Sequence, residues 1–164
     1  MKWKDHRRWA NKFGISGDVA QYINKIVDIS EEGRLPAEYK QDIEDAASAI
    51  AESQGAKRGN SALSAVIAAD AIGHDAGRRK ASRGTVAAKC ALRHCRQKGR
   101  NFVDAWYLHH HLDYLHEQRS AGDKLSEVLT RYRGEYPEAY SRQIEKFLLK
   151  HEETLASELG YPDT

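Results

Sequence analysis

Apolar residues recur at every third or fourth position along most of this chain of 164 residues. Val19, Ile23 and Ile26 follow one another in this way near the start of the chain. Because an α-helix turns by about 100° per residue, this spacing gives one apolar face, whereas a half-buried strand needs strict alternation. No segment of the sequence alternates over the length of a strand. The sequence therefore predicts an all-α protein.

Capping residues divide the pattern into six or seven helices that we expect to form a single compact bundle over residues 1–164. Glycine at positions 14, 99 and 160 is typical of a helix end, and Ser16 is typical of a helix start. Pro137 is expected to open a last helix that continues to Gly160. Residues 62–72 are apolar on nearly every side, which predicts a central, buried helix.

Composition places the chain among soluble cytoplasmic proteins. Hydrophobic residues make up 40% and charged residues 30%, which is too apolar for a disordered chain. The charged N-terminus has no apolar run behind it, and no segment approaches the roughly 18–20 apolar residues of a membrane span. Cys90 and Cys95 lie five residues apart on a predicted helix and point to different sides, so a disulfide between them is not expected.

Polar residues interrupt the apolar face of the helix predicted from about 101 to 119. His109, Asp113 and His116 fall within that face on successive turns. Burying a carboxylate and two imidazoles costs free energy unless they are paired or bound to a cation. The spacing is a good ligand geometry for a divalent metal ion. It therefore predicts a metal site.

Other helices place histidine in the same way. His6 lies in the middle of the first apolar face, His94 follows Ala91 on the helix 85–98, and His151 follows Leu148. His74 comes directly after the most apolar segment. A shared metal site explains the convergence, and the alternative is a set of packing histidines hydrogen-bonded to backbone and carboxylate groups.

The segment around His74 and Asp75 resembles a known signature. An apolar helix ends in His74-Asp75 and is followed by a small residue, Gly77 and the basic Arg78. This pattern resembles the HD family of metal-dependent phosphohydrolases. The resemblance implies an all-helical fold and one or two divalent cations, held by an early histidine, the His-Asp pair and a late aspartate.

Matching the family's metal ligands to positions of this sequence gives most of a ligand set. His74 and Asp75 match the pair, His6 stands for the early histidine, and Asp113 or Asp104 stands for the late aspartate. The extra histidines of two-metal members would be His94, His109 and His110. The early Trp3 and the histidines are also similar to the zinc-dependent phospholipase C type, whose tryptophan is N-terminal.

The predicted chemistry is hydrolysis of phosphate esters such as nucleotides or nucleic acid. Mn, Fe, Ni, Zn or Mg would suit imidazole and carboxylate ligands, and the cation would lower the pKa of a water molecule that attacks phosphorus. We expect the metal to be held by His6, His74, Asp75, His109 and Asp113. Charge developing on the phosphate would be stabilised by Arg78, Arg79 or Lys80, and His110 or His94 would protonate the leaving group.

The segment 78–100 is basic and contains no acidic residue. Its cations could hold a substrate phosphate, contact the backbone of a nucleic acid, or form a solvated face balanced by acidic segments elsewhere. The second of these gives the alternative function, a non-catalytic helical protein for nucleic-acid binding or assembly. An oligomer is compatible with either function.

Overall fold

A computed structural model describes residues 1–28, 35–54, 79, 82–120 and 122–161. All regular secondary structure within these ranges is helical, which confirms the all-α prediction. The α-helices are α1 (Trp3–Phe13), α2 (Gly17–Val27), α3 (Ala37–Gln54), α4 (Thr85–Lys98), α5 (Arg100–Glu117), α6 (Leu125–Glu135), α7 (Arg142–Lys150) and α8 (Glu152–Leu159). A short 3₁₀ helix, Pro137–Ala139, stands between α6 and α7.

Local sequence signals account for most helix ends. Gly14 adopts φ +93°, a left-handed conformation that glycine reaches without steric cost, and it ends α1. The Ser16 hydroxyl accepts a hydrogen bond from the Val19 N–H at 3.5 Å and caps α2. Helix α4 occupies the predicted range, and Gly99 separates it from α5.

The predicted number of six or seven helices is too low, because the described residues alone contain eight α-helices. One cause lies at the C-terminus, where the expected single helix 137–160 is three separate elements. The chain leaves helical geometry at His151, whose ring packs against Trp9 and Phe147. Leu148 before the break and Leu155 after it are both fully buried. The segment 62–72, predicted to be central, lies outside the described residues.

Helix α5 is the centre of the described bundle. It packs against α1, α2, α4, α6 and α7. Every side chain from residue 108 to residue 115 is buried, so this helix has no solvent-facing side over two turns. Such a helix needs apolar neighbours on all sides, and the polar groups it carries need partners inside the protein.

Helices α1 and α2 pack against each other and against α5. The Trp9 indole N–H donates to Glu158 Oε2 at 2.9 Å, which ties α1 to α8. Buried Ile23 and Ile26 anchor α2 in the same core. As a result the polar residues of α1 and α2 that face inward meet the polar residues of α5. None of the described helices is long and apolar enough to cross a bilayer.

The buried position of Leu112 predicts a large loss of stability on truncation. Leu112→Ala removes a side chain that is 0% exposed on the central helix and leaves a cavity, which typically costs about 2–5 kcal/mol of unfolding free energy. Leu149→Ala on the half-buried flank of α7 is the matched control and should cost less. Urea unfolding followed by circular dichroism measures both. Equal losses in the two variants would contradict the central position of α5.

Candidate metal centre

The carboxylate of Asp113 lies between two imidazole rings from different helices. Asp113 Oδ1 is 3.0 Å from His6 Nε2, and Asp113 Oδ2 is 3.0 Å from His109 Nε2. The two ring centroids are 4.1 Å apart, and the ring planes are tilted by 44°. All three side chains are at most 3% exposed. One donor atom from each residue lies within 4.8 Å of the others, and this is the only such group of three that the described part of the chain contains.

Neither short contact has the alignment of a hydrogen bond. His6 Nε2, His109 Nε2 and Asp113 Oδ2 are buried atoms without a hydrogen-bond partner among the described residues. Adjacent ligands of a six-coordinate ion with bonds of about 2.1 Å lie about 3.0 Å apart, which is the separation seen at both contacts. A buried group of close nitrogen and oxygen donors of this kind could hold a divalent cation.

Asn24 fixes the orientation and tautomer of His109. Its side-chain oxygen Oδ1 lies 2.9 Å from His109 Nδ1. Because an amide oxygen only accepts, His109 Nδ1 must carry a hydrogen, and Nε2 is turned toward Asp113. Metal-binding histidines usually donate their second ring N–H to an oxygen in this way. Helix α2, which carries Asn24, therefore holds a residue of α5 in position.

A second carboxylate lies near the same nitrogen of His109 that contacts Asp113. Asp28 Oδ2 is 3.5 Å from His109 Nε2 and accepts a hydrogen bond from the Trp3 indole at 3.0 Å. Asp28 is 4% exposed and follows the last residue of α2. The centre thus has two buried carboxylates around one imidazole nitrogen.

Arginine side chains approach the same carboxylates. Arg79 Nη1 donates to Asp28 Oδ1 at 3.1 Å, and Arg79 Nε lies 3.7 Å from Asp113 Oδ2. Glu117 accepts a hydrogen bond from Arg83 Nη2 at 2.9 Å and forms an ion pair with Arg79, whose Nε lies 3.0 Å from Glu117 Oε1. Arg79, a predicted phosphate-stabilising residue, is therefore found at the edge of the centre.

Burial and charge shift the protonation of these groups in opposite directions. Burial would lower the pKa of His109, but the charges of Asp113 and Asp28 raise it to about 9. Burial, and then the charge of His109, lower the pKa of His6. Burial would raise the pKa of Asp113, but the charge of His109 and the contact with it hold that pKa well below its usual value. Without a metal ion the centre therefore holds an ionised Asp113 against a protonated His109.

A surface groove of about 390 Å³ lies next to the centre. Its lining includes Met1 and His116, and the Met1 amino group is 3.2 Å from Asp113 Oδ1 and 3.4 Å from His116 Nδ1. Lys2, Lys4, Arg8 and Arg119 also line this groove, together with Asp5 and Glu158, which both pair with Arg8. Basic groups therefore outnumber acidic ones in the lining.

The structure brings together part of the predicted site. His6, His109, Asp113 and Arg79 meet as described. Asp104, the other possible late aspartate, instead pairs with Arg100 at 3.4 Å. Four predicted residues lie outside the described part of the chain, namely His74, Asp75, Arg78 and Lys80.

His94 is not part of the centre. Its Nδ1 lies 2.5 Å from Asp42 Oδ2 and its Nε2 lies 2.8 Å from the Tyr22 hydroxyl. Tyr22 donates its one proton to Glu38 at 2.7 Å, so it accepts from His94. Both ring nitrogens of His94 therefore donate, and the network joins α2, α3 and α4. No described contact supports His94 as a leaving-group acid, and that role stays a prediction.

His110 and His111 are buried beside the centre on α5. The His110 ring packs edge-on against Trp106, and neither of its nitrogens has a hydrogen-bond partner among the described residues. Burial lowers its pKa well below the usual value, which opposes the protonated form that a leaving-group acid requires. His111 Nδ1 donates to the Tyr107 carbonyl at 2.7 Å, and its Nε2 accepts from the Ser141 N–H at 3.4 Å.

Sequence reasoning missed three residues of the centre: Asn24, Asp28 and Trp3. Asn24 lies one residue after Ile23 and is 1% exposed. A polar residue within the apolar face of α2 was the available signal. Asp28 and Trp3 carried no such signal, because both lie at helix ends, where polar and aromatic residues are common.

Comparison of the chain with protein-family models, with curated proteins and with solved structures gives no match.

The neutral state of His111 predicts a loss of stability in acid. Burial lowers its pKa to about 4, against 6.5 in an unfolded chain. Its contribution is therefore fully present above pH 6.5 and is lost as the pH falls toward 4, by about 2 kcal/mol between pH 7.5 and 5. Urea unfolding of the metal-free protein at these two pH values, compared with His111→Gln, isolates this contribution. If both proteins lost the same free energy, His111 would not be held neutral.

Proposed function

We propose that this chain is a divalent-metal-dependent hydrolase of phosphate esters, with the metal held by His6, His109 and Asp113. The observation that carries the proposal is the convergence of three buried donor atoms at separations of about 3 Å without hydrogen-bond alignment. Three different helical turns supply these atoms. An arrangement that served only to pair charges would gain from aligned hydrogen bonds.

The donor set fits a transition metal. Two imidazole nitrogens and one carboxylate suit Mn, Fe, Ni or Zn, whereas Mg favours oxygen ligands and water. Asp28 Oδ2, which lies 3.5 Å from His109 Nε2, would be a further oxygen ligand. The resemblance to the HD family would add His74 and Asp75 to the same shell. A divalent cation bound there would lower the pKa of a water molecule and polarise a phosphoryl oxygen.

The protein groups around the centre have separate tasks in this proposal. Asn24 keeps His109 Nδ1 protonated and His109 Nε2 directed at the centre. Arg79, 15% exposed and paired with Glu117, would lie beside a phosphate bound at the metal and stabilise the negative charge that develops on it. The basic residues of the groove at Met1 and His116 favour an anionic substrate there. Two buried free thiols, Cys90 and Cys95, fit a reduced cytoplasmic setting.

The first test is the metal content of protein purified without added metal. We expect bound Mn, Fe, Ni or Zn in the wild type and at least a tenfold loss of metal affinity in Asp113→Asn, since that change removes a charged ligand and keeps the shape. His151→Gln, which removes a histidine outside the centre, is the control and should keep the metal. Thermal unfolding of each variant shows whether it is folded. Negligible metal in all three proteins would leave a proton-linked ion-pair network instead of a metal centre.

A second pair of variants separates the HD resemblance from the centre itself. Loss of metal in His74→Ala/Asp75→Ala would add the pair to the ligand shell. Full metal content in that variant, with loss in Asp113→Asn, would leave the centre in place and reject the resemblance.

Hydrolysis is tested with p-nitrophenyl phosphate as a monoester and bis(p-nitrophenyl) phosphate as a diester. Activity should depend on added metal and fall by about 10²-fold or more in Asp113→Asn, because the loss of a ligand weakens activation of the water. Arg79→Gln should lower kcat more than it raises KM, since its charge acts on the transition state. Metal binding without hydrolysis of either compound would reject the catalytic part of the proposal.

A further inference from the structure

The solvent-facing side of α4 consists almost entirely of cations. Of its described side chains, those facing the core are buried, among them Ala88, Ala91 and Cys95. The exposed ones are Lys89, Arg93, Arg96 and Gln97. A solvated helix face normally mixes both signs of charge. The face formed by Lys89, Arg93 and Arg96 is called the cationic strip below.

Four other basic residues of the segment 78–100 form ion pairs within the protein. Arg79 and Arg83 turn inward to Glu117, Lys98 pairs with Glu38 at 3.0 Å, and Arg100 pairs with Asp104. No ion pair joins any member of the cationic strip to an acidic residue within the described ranges of the chain. Three positive charges therefore face the solvent together.

Helical geometry brings these charges into line. Lys89, Arg93 and Arg96 are four and three residues apart, so they fall within about 60° of the helix circumference. With a rise of about 1.5 Å per residue, the strip is about 10 Å long. The opposite side of α4 packs against α3 and α5, which holds the strip rigid.

We propose that the cationic strip binds the phosphodiester backbone of a nucleic acid. Backbone binding needs clustered cations and little else, because its free energy comes largely from the release of condensed counterions. Among residues 87–98, whose side chains the structure describes, a protein partner would find no exposed apolar side chain to bury. The strip's length matches two or three successive phosphates of one strand. This proposal does not depend on the metal centre and holds whether or not the chain is a hydrolase.

Helix α7 provides a matched comparison. Arg142, Lys146 and Lys150 are also exposed and lie four residues apart, but Glu145 stands among them. Glu152 and Glu153 follow directly in α8. The same number of cations is therefore present on α7 with acidic residues beside them, which weakens the attraction for a polyanion.

The experiment measures fluorescence anisotropy of labelled single-stranded and double-stranded oligonucleotides over a range of salt concentrations. The variant Lys89→Gln/Arg93→Gln/Arg96→Gln should bind at least tenfold more weakly than wild type at low salt. The slope of log K against log salt should become shallower by about 2 for single strands or about 3 for duplexes. Arg142→Gln/Lys146→Gln/Lys150→Gln should change both quantities much less. Glutamine keeps helix propensity, and circular dichroism checks the fold.

Three results would overturn the proposal. Equal weakening in the two triple variants would assign binding to net charge alone, and undetectable binding by wild type at low salt would reject a nucleic-acid partner. The third is salt-sensitive self-association, seen by sedimentation, that only the α4 variant loses. In that case a second copy would cover the strip, since α3 exposes Glu44, Asp45 and Glu52. Asp113→Asn should bind nucleic acid as wild type does, so failure of the metal centre and failure of the strip are distinguishable.

Discussion

The ionised carboxylate of Asp113 on the central helix is the constraint on which the rest of the centre depends. A charge without contact to water is tolerated only where opposite charge or a cation lies beside it. Helix α1 brings His6 to one carboxylate oxygen, and α5 itself brings His109 to the other. Helix α2 contributes Asn24 and, just after its end, Asp28. Side chains from α1, α2 and α5 are therefore packed around a single buried charge.

The same constraint links occupancy of the centre to protonation. Because the pKa of His109 is about 9 in the metal-free protein, a proton occupies its ring at neutral pH. A cation bound by His109 has to displace that proton, as metal ligands generally require. Arg79 and the Met1 amino group stand at 3.7 and 3.2 Å from Asp113 and add positive charge around it. Positive charge therefore surrounds Asp113 without a metal, and a bound cation would replace part of that charge.

The cations of the basic segment 78–100 fall into two sets, one paired inside the protein and one exposed to solvent. Arg79 and Arg83 precede α4 and turn toward the carboxylates of the centre, where their charge is neutralised. Lys89, Arg93 and Arg96 lie on α4 at positions that packing leaves outside. Sequence alone shows a run of cations without acids and gives no means of separating the two sets. Their separation comes from tertiary contacts: Arg79 and Arg83 reach Glu117 of α5, while α3 and α5 cover the opposite side of α4 and leave the cationic strip exposed.

The sequence by itself determined the helical class and several helix ends at glycine or serine, and it placed His6, His109 and Asp113 on apolar helix faces, because periodicity and capping are local properties. Tertiary structure alone decided three matters. The break at His151 follows from packing against Trp9, since the apolar spacing runs through it without interruption. Asn24 joined the centre only because α2 crosses α5 at His109. His94 was directed to Asp42 instead of the centre by the position of α3, and distances between helices are not written in the spacing along any one of them.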